Sequence, residues 1–249
     1  MISVIIPAYN EENAIEETIK EIKKVLKKYK GSEIIVVNDG STDKTKEKAL
    51  KTGAIVIDNE KNMGYGKSLK IGIEHAKNNT IVITDSDLTY PFDKVPEMLE
   101  IKEQGYDMVV GARTGKYYKE SIFKNTLRKI LKLFVEFMAG QEIKDINSGL
   151  RVFNKDVVSK YIPRLCDTFS FTTSQTLAYM MNGYKVYYID IPYYKRVGKT
   201  KVKLLKYSFV TIGHILKAGI YYNPIKIFTL FIILFIILLI IIGVIIWII

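Results

Sequence analysis

Residues 33–43 read EIIVVNDGSTD, an apolar run that ends abruptly in polar and acidic side chains. The same pattern, an apolar run followed by polar and acidic residues, occurs in SVIIPAYNEE at residues 3–12 and in TIVITDSD at residues 80–87. Nearly continuous Val and Ile are typical of strands that are buried on both faces of a sheet. Two further runs, AIVI at residues 54–57 and DMVV at residues 107–110, fit the same interpretation. The sequence therefore predicts at least five buried strands.

Charged segments with helical spacing of their apolar residues separate these strands, at residues 12–30, 44–52, 66–78 and 93–104. Regular alternation of strand and helix predicts an α/β fold, Rossmann-like, with a mostly parallel sheet, helices on both faces and right-handed crossovers. A further helix at about residues 122–138 precedes an irregular stretch and a last strand at residues 185–191.

The charge of the chain is concentrated near its C-terminal end. The 249 residues carry a net charge of +11, but residues 195–226 hold eight basic residues and no acidic one. The remainder carries 29 basic and 26 acidic residues and is nearly neutral, which argues against a nucleic-acid partner. The single cysteine, Cys166, excludes a disulfide framework and a multi-cysteine zinc site.

Residues 227–249 read IFTLFIILFIILLIIIGVIIWII and contain no charge. A helix of this length covers about 34 Å, enough for a hydrocarbon core of about 30 Å. The alternative, a core helix, is disfavoured because core helices are seldom apolar on every face. Basic residues gather on the cytoplasmic side of spans, and here they all precede it. We therefore expect a single C-terminal anchor in the cell membrane and a cytoplasmic domain before it, with no signal peptide at the N-terminus.

The segment between the two parts predicts a basic amphipathic helix. One face holds Lys203, Lys206, His214 and Lys217, and the other holds Leu205, Phe209, Ile212, Leu216 and Ile220. Such a helix next to a span is typical of the membrane interface, although packing against the globular domain is an alternative and both can hold. The predicted units are residues 1–202 (globular domain), 203–224 (interfacial helix) and 225–249 (span).

The polar residues after three of the strands predict a ligand site, because ligands bind at the carboxyl ends of parallel strands. A single cluster can be explained as helix capping, as for Ser41 and Asp43. Asp85 and Asp87 are harder to explain in this way, since two carboxylates so close together repel each other unless a cation neutralises them. Oxygen ligands suit Mg²⁺ or Mn²⁺, and such a metal keeps open positions for a diphosphate.

A phosphate-binding P-loop is a rival interpretation of Gly66-Lys67-Ser68, with the acidic strand at residues 81–85 as its companion. That loop requires a glycine at position 61, where the sequence has Lys61. Without it the backbone does not easily wrap a phosphate, which disfavours an NTPase. Gly64 and Gly66 fit a tight entry into the following helix better.

Five motifs together resemble glycosyltransferase family 2, which has the GT-A fold: IIPAYNEE at 5–12, VVNDGSTD at 36–43, NMGYGKS at 62–68, DSD at 85–87 and DINSGLR at 145–151. The last motif, residues 196–201 and the basic segment before the span are similar to the polyprenyl- and dolichyl-phosphate sugar synthases. The resemblance runs from residue 1 to about residue 203.

The resemblance implies roles for individual residues. It implies that the nucleotide-sugar is bound by Pro7, Tyr9, Glu11, Asp39, Lys67, Asp85, Arg196 and Lys201. It implies that Asp87 and Asp85 bind the metal, that the acceptor phosphate contacts Arg113, Arg128 and Ser148, and that the catalytic residues are Asp87, Asp145 and Arg151. Asp145 is the best candidate for a base or for orienting the acceptor, with a structural role as the alternative, and Arg128 taken alone also fits a solvated surface cation.

The function that the resemblance implies is inverting transfer of a sugar, mannose or glucose, from a GDP-mannose or UDP-glucose type donor to dolichyl or polyprenyl phosphate, with Mg²⁺ or Mn²⁺. A lipid phosphate is already anionic and needs little base catalysis. The alternatives are a membrane-anchored relative that glycosylates a glycan, or a nucleotide-binding module without catalysis. The Q-x-x-R-W motif of processive synthases is absent, since the one tryptophan, Trp247, lies in the predicted span. Whether the chain forms a homo-oligomer is left open.

Overall fold

The computed structural model describes residues 1–115, 117, 122–198 and 204–248, without the side chains of residues 122–125, 127, 128, 204–209 and 248. Seven strands form one sheet in the order β3-β2-β1-β4-β6-β5-β7. The strands are β1 (Ile2–Ala8), β2 (Glu33–Asn38), β3 (Ile55–Asp58), β4 (Thr80–Ile83), β5 (Met108–Thr114), β6 (Arg151–Asn154) and β7 (Val186–Pro192). The five strands predicted first and the last strand are thus confirmed.

One strand, β6, runs against the other six. It lies between β4 and β5 and is antiparallel to both, with Val152 opposite Val82 and Val109. The remaining neighbours pair in parallel. Because an antiparallel strand begins where its neighbours end, β6 brings the loop before it, residues 145–150, to the carboxyl edge of the parallel strands.

Helices cover both faces of the sheet. They are α1 (Ile15–Leu26), α2 (Thr45–Lys51), α3 (Tyr65–His75), α4 (Val95–Glu103), α5 (Ile122–Ala139), α6 (Lys155–Ser159), α7 (Phe171–Met181), α8 (Leu204–Tyr222) and α9 (Pro224–Ile248), with short 3₁₀ turns at Phe92–Lys94 and Ile162–Arg164. Side chains of α1, α2 and α4 pack on one face, and those of α3, α6 and α7 on the other. This is the predicted α/β architecture.

A third layer lies outside α7. Buried side chains of α5, α7, α8 and the first turn of α9 form one apolar cluster, in which Val135, Leu177 and Ile215 are fully buried. The inner edge of α8 is Thr211, Ile215 and Gly219, one residue per turn. It therefore packs on the globular domain, the alternative considered above, while Ile220 of the predicted apolar face stays 58% exposed. Of the residues expected on the two faces, Lys203 lies outside the described residues, as do the side chains of Leu205, Lys206 and Phe209.

Helix α9 matches the predicted span. Within Pro224–Trp247, the most apolar window of 18 residues has a mean hydropathy of 3.6, and no residue of that window is buried in the molecule. In the described part of the chain this is the one helix that is long and apolar enough to cross a membrane. The first turn of α9 packs on α5, where the Lys226 ammonium lies 5.1 Å from the centre of the Phe137 ring.

Two elements of the stretch that was expected to be irregular are regular in the structure. Strand β6 has only four residues, RVFN, and begins with a charged one. Helix α7 reads FTTSQTLAYMM and is buried over nearly its whole length, between the sheet and α5 and α8. A helix that is covered on all sides needs no amphipathic period, so its sequence lacks the pattern on which the helix prediction depends.

Candidate active site

The ends of β1 and β4 bring carboxylates together at one edge of the sheet. Glu11 follows β1, and Asp85 and Asp87 follow β4, which is the strand next to β1. The backbone is left-handed beside Glu11 and beside Asp87: Asn10 has φ 51° and Leu88 has φ 61°, the two positive φ angles of non-glycine residues in the described ranges. A left-handed leucine costs on the order of 1 kcal/mol, and strain of this kind concentrates at functional sites.

Asp87 lies at the centre of this edge and is 1% exposed. Its Oδ1 accepts hydrogen bonds from the hydroxyl of Thr89 at 2.6 Å and from the Thr89 N–H at 3.2 Å. Its Oδ2 lies 3.2 Å from Nε of Arg196, but neither of these two atoms makes a hydrogen bond to any described residue. Thr89 therefore fixes the orientation of the carboxylate and leaves one buried oxygen available.

Asp85 lies against the loop that precedes β6. Its Oδ1 accepts a 2.9 Å hydrogen bond from the hydroxyl of Tyr65, whose ring stacks on Phe169. A Cβ atom on Gly149 would lie 2.7 Å from this oxygen, so only glycine allows the loop to approach so closely. Burial and the negative charge of Asp87 raise the pKa of Asp85 to about 6.

These two carboxylates fit a divalent cation. A buried carboxylate oxygen without a hydrogen bond and a carboxyl with a raised pKa both indicate negative charge that the described residues do not fully neutralise. The described part of the chain contains no group of three His, Cys, Asp or Glu side chains that could hold a metal ion by themselves. Asp85 and Asp87 would therefore hold a hard cation together with oxygen atoms of a ligand.

Asp39 follows β2 and holds the loop of residues 59–64. Its carboxylate accepts hydrogen bonds from the Asn59 side chain at 2.9 Å, the Met63 N–H at 2.8 Å and the Gly64 N–H at 2.9 Å. These three donors hold the Asp39 carboxylate, which is 3% exposed, in one orientation at the side of the site. The role of Asp39 in binding a nucleotide stays a prediction.

The other residues predicted to bind the nucleotide lie along the same edge. Pro7 is buried in β1, Tyr9 follows this strand and is half-buried, and Lys67 lies half-buried in the first turn of α3. Arg196 reaches the site from the segment after β7 and also contacts Glu11 Oε1 at 3.1 Å through its NH2 group. Lys201 lies outside the described residues.

Asp145 and Arg113 form a buried ion pair. Arg113 donates to both carboxylate oxygens of Asp145, from Nε at 2.7 Å and from NH2 at 2.9 Å. The backbone N–H groups of Arg113 and Asn147 donate to the same carboxylate. Burial alone would raise the pKa of Asp145, but the charge and hydrogen bonds of Arg113 outweigh it and hold the pKa below its usual value of 3.8. A carboxylate held in this way is a poor base, which favours the structural alternative.

Two residues expected to contact reactants lie behind the site instead. Arg151 is fully buried, and its guanidinium donates to the carbonyls of Ser148 and Ile146 and to the hydroxyl of Thr176. The hydroxyl of Ser148, also fully buried, donates to the Gly111 carbonyl at 2.5 Å. Arg151 thus supports the 145–150 loop from below, and Ser148 ties the loop to β5. The catalytic role of Arg151 and the phosphate contact of Ser148 stay predictions. Arg128 lies in α5, and its side chain is outside the described part.

The sequence reasoning missed two residues that orient the acidic pair. Thr89 is not among the predicted site residues, although it stands two residues after Asp87, the spacing of an Asx-turn in which an Asp carboxylate accepts from the backbone N–H two positions on. Tyr65 stands in the quoted NMGYGKS motif, but its contact with Asp85 joins residues 20 positions apart and depends on the packing of α3 on β1 and β2.

Comparison with known proteins gives a consistent result. The family model described as "Glycosyl transferase family 2" matches residues 3–162. Dolichyl-phosphate hexose transferase of Haloferax volcanii is 29% identical over 202 residues, which are 81% of this chain and 86% of that protein. Undecaprenyl-phosphate 4-deoxy-4-formamido-L-arabinose transferase of Photorhabdus laumondii is 29% identical over 188 residues, 68% of this chain, and the match spans 56% of the length of that relative.

The fold is shared with solved structures. Glucosyl-3-phosphoglycerate synthase from Mycobacterium tuberculosis, in complex with uridine diphosphate, is similar with a TM-score of 0.72 and 20% sequence identity. The similarity covers 88% of this chain and 79% of that one. At this identity the comparison concerns the fold alone, and it confirms the predicted GT-A architecture.

Proposed function

The chain belongs to glycosyl transferase family 2, and on this premise we propose that it moves a hexose, mannose or glucose, with inversion from a nucleotide-sugar to dolichyl or polyprenyl phosphate at a membrane. The relative from Haloferax volcanii is named a dolichyl-phosphate hexose transferase and matches most of both chains. The relative from Photorhabdus laumondii is named for transfer to undecaprenyl phosphate. A C-terminal helix that can anchor the enzyme beside a lipid acceptor supports the same function.

The observation that carries this proposal is the pairing of Asp145 with Arg113. An acceptor hydroxyl must lose its proton during transfer and benefits from a well-placed base. Asp145, the best base candidate in the sequence, is held by four hydrogen bonds and has a lowered pKa. A phosphate acceptor is already anionic at neutral pH and needs no such base. Catalysis then rests on positioning and on neutralising charge.

In this mechanism the residues of the chain position and neutralise the donor. Asp85 and Asp87 would hold Mg²⁺ or Mn²⁺, which when bound supplies positive charge for the departing diphosphate. Arg196, with Lys201, would add cationic groups at the same phosphates, where the planar guanidinium donates two parallel hydrogen bonds. Pro7, Tyr9, Glu11, Asp39 and Lys67 would line the nucleotide. Arg128 stays our candidate for the acceptor phosphate, while the charge of Arg113 is balanced by Asp145.

The proposed location follows from the distribution of charge. The basic residues between positions 195 and 226 all precede α9, so the catalytic domain would lie on the cytoplasmic side of the cell membrane, with α9 as a single-pass anchor. At an anionic lipid surface each such residue contributes about 1 kcal/mol of attraction.

The test is to supply membranes that contain the full chain with a panel of radiolabelled nucleotide-sugars and to identify the labelled lipid. We expect one donor, of the GDP-mannose or UDP-glucose type, to give an acid-labile labelled polyprenyl phosphate, and we expect excess EDTA to abolish the product. Label in a glycan that is resistant to mild acid would instead support the alternative of a family 2 enzyme with a non-phosphate acceptor.

A further inference from the structure

Arg196 lies between the carboxylates of Glu11 and Asp87. Its guanidinium is within 3.2 Å of Asp87 Oδ2 and within 3.1 Å of Glu11 Oε1, so it joins the carboxyl ends of β1 and β4. Glu11 is 6% exposed and Asp87 is 1% exposed. Buried carboxylates are costly unless a cation neutralises them, and among the described cations Arg196 is the one ion-paired with both Glu11 and Asp87.

The backbone on both sides of Arg196 holds this position. The N–H of Tyr194 donates to the Thr89 carbonyl at 2.9 Å, and the N–H of Val197 donates to the Asp87 carbonyl at 3.2 Å. The segment after β7 is therefore tied to the segment that carries Asp87. Because these bonds involve only backbone atoms, the guanidinium can leave the carboxylates while the backbone of the segment stays in place.

The pairing of Arg196 with Asp87 is loose in comparison with the other buried pair of the site. Arg113 and Asp145 make two short, directed hydrogen bonds, and the Arg113 side chain is 13% exposed. Arg196 Nε and Asp87 Oδ2 are close but not aligned for a hydrogen bond, and the Arg196 side chain is 31% exposed. The orientation of Asp87 does not depend on Arg196, since Thr89 holds its other oxygen. The Arg196 contact is therefore the one that can be broken without rebuilding the site.

A divalent cation on Asp87 Oδ2 and the Arg196 guanidinium at its present place exclude each other. Both are positive, both need the same buried oxygen, and a distance of 3.2 Å leaves no room for an ion between them. A diphosphate offers the guanidinium a better partner, because its oxygens accept bidentate hydrogen bonds. Binding of the nucleotide-sugar would thus draw the Arg196 guanidinium away from Asp87 Oδ2, and the same diphosphate would supply oxygen ligands to the metal.

We propose that Arg196 is the resting counter-cation of Asp87 and Glu11 and competes with the divalent metal, so that the metal binds tightly only together with the nucleotide diphosphate. This inference rests on the proposed function, since it assumes that Asp87 is a metal ligand. Arg196 thereby couples metal binding to donor binding. It has two effects of opposite sign: it weakens metal binding to the free enzyme, and it stabilises the bound diphosphate.

The test is the affinity for Mn²⁺, measured by electron paramagnetic resonance of the free ion, on the purified full-length chain without and with UDP or GDP. Arg196→Gln removes the charge, Arg196→Met is a second variant without it, and Arg164→Gln is a matched control that removes an exposed arginine packed over Tyr221. We expect Arg196→Gln to bind Mn²⁺ about tenfold more tightly than wild type without nucleotide, since a unit charge at this distance is worth at least one decade of affinity. We expect the difference to shrink when UDP or GDP is present and the control to match wild type.

Three results would overturn the inference. Unchanged or weaker Mn²⁺ binding by folded Arg196→Gln or Arg196→Met is the first, and it leaves the proposed function intact if transfer by the wild type remains sensitive to EDTA. An equal gain in Mn²⁺ affinity in Arg164→Gln is the second, because the gain would then follow from the lower net positive charge of the protein and not from the position of Arg196. The absence of Mn²⁺ binding by every folded variant, with or without nucleotide, is the third, and it also removes the metal assignment.

Discussion

Replacing Asp145 by asparagine tests whether this residue has a structural or a catalytic role, because a structural role predicts a loss of stability and a catalytic role predicts a loss of transfer rate. The substitution keeps the size of the side chain but removes its charge and directs an amide NH2 toward the Arg113 guanidinium, which now makes two hydrogen bonds to the carboxylate. Asp145 is 3% exposed, so the guanidinium would lose its counter-charge in a buried place. Breaking a buried pair by removing one partner costs about 3–5 kcal/mol. For a chain of this size we expect the Tm to fall by roughly 10 °C.

A double-mutant cycle identifies the partner. Arg113→Gln combined with Asp145→Asn replaces the ion pair by two neutral amides that can bond to each other. We expect the loss of stability in the double variant to be at least about 1 kcal/mol smaller than the sum of the two single losses, as is usual for residues in direct contact. Thermal unfolding of the detergent-solubilised proteins, followed by circular dichroism, gives the stabilities, and initial transfer rates are measured on the same samples.

The pH dependence of the effect has a definite sign. The pKa of Asp145 is lower in the folded protein than in the unfolded chain, because Arg113 stabilises the carboxylate against the effect of burial. The stabilisation is therefore fully present above the unfolded value of about 3.9 and is lost as the pH falls through the folded value. We expect the Tm difference between wild type and Asp145→Asn to be constant from about pH 5 to pH 8 and to close below about pH 4.

A different result would refute this reasoning. If Asp145→Asn unfolds at the wild-type temperature but transfers sugar about a thousandfold more slowly, Asp145 acts as a base and its pairing with Arg113 is incidental. The argument for a phosphate acceptor from the lack of a free base would then fall as well.

Two further substitutions probe the acidic pair directly. Asp87→Asn should keep the fold and lower the transfer rate by a factor of about 10²–10³, because an amide does not neutralise a divalent cation. The control Asp93→Asn, on the exposed turn before α4, should leave the transfer rate unchanged. Equal transfer rates for the two variants would remove the metal assignment. Gly149→Ala places a Cβ 2.7 Å from Asp85 Oδ1 and should raise the KM for the donor, whereas Gly213→Ala, which meets nothing within 4 Å, should be neutral. A Gly149→Ala enzyme with unchanged donor KM would show that the position of Asp85 is not critical.

Much of the fold could be predicted because the decisive patterns are local. The apolar runs gave the strands of the parallel sheet, and amphipathic segments gave α1 to α5 within a few residues. Strand β6 and helix α7 could not be predicted in this way. One is a four-residue strand whose first residue is a buried arginine, and the other is covered on every side and has no polar face.

The candidate site could be predicted in its location but not in the assignment of each residue. Asp85 and Asp87, which follow β4, lie near Glu11, which follows β1, because the carboxyl ends of adjacent parallel strands meet at the predicted edge. Ser148 and Arg151 were expected beside the substrates because they belong to the same motif as Asp145. The structure turns both inward: the Ser148 hydroxyl donates to the Gly111 carbonyl, and the Arg151 guanidinium donates to the Ser148 carbonyl.

The sequence by itself determined the α/β fold, the acidic edge of the sheet, the family and the apolar C-terminal helix, because each depends on residue types at short, fixed spacings. Only the tertiary structure decided which charges balance which. The pairs of Arg113 with Asp145 and of Arg196 with Asp87 join residues that are 32 and 109 positions apart. A buried carboxylate acts as a base, a metal ligand or half of an ion pair according to which cation the packing brings within about 4 Å of it. Local sequence patterns do not determine this distance, because it depends on residues far apart in the chain.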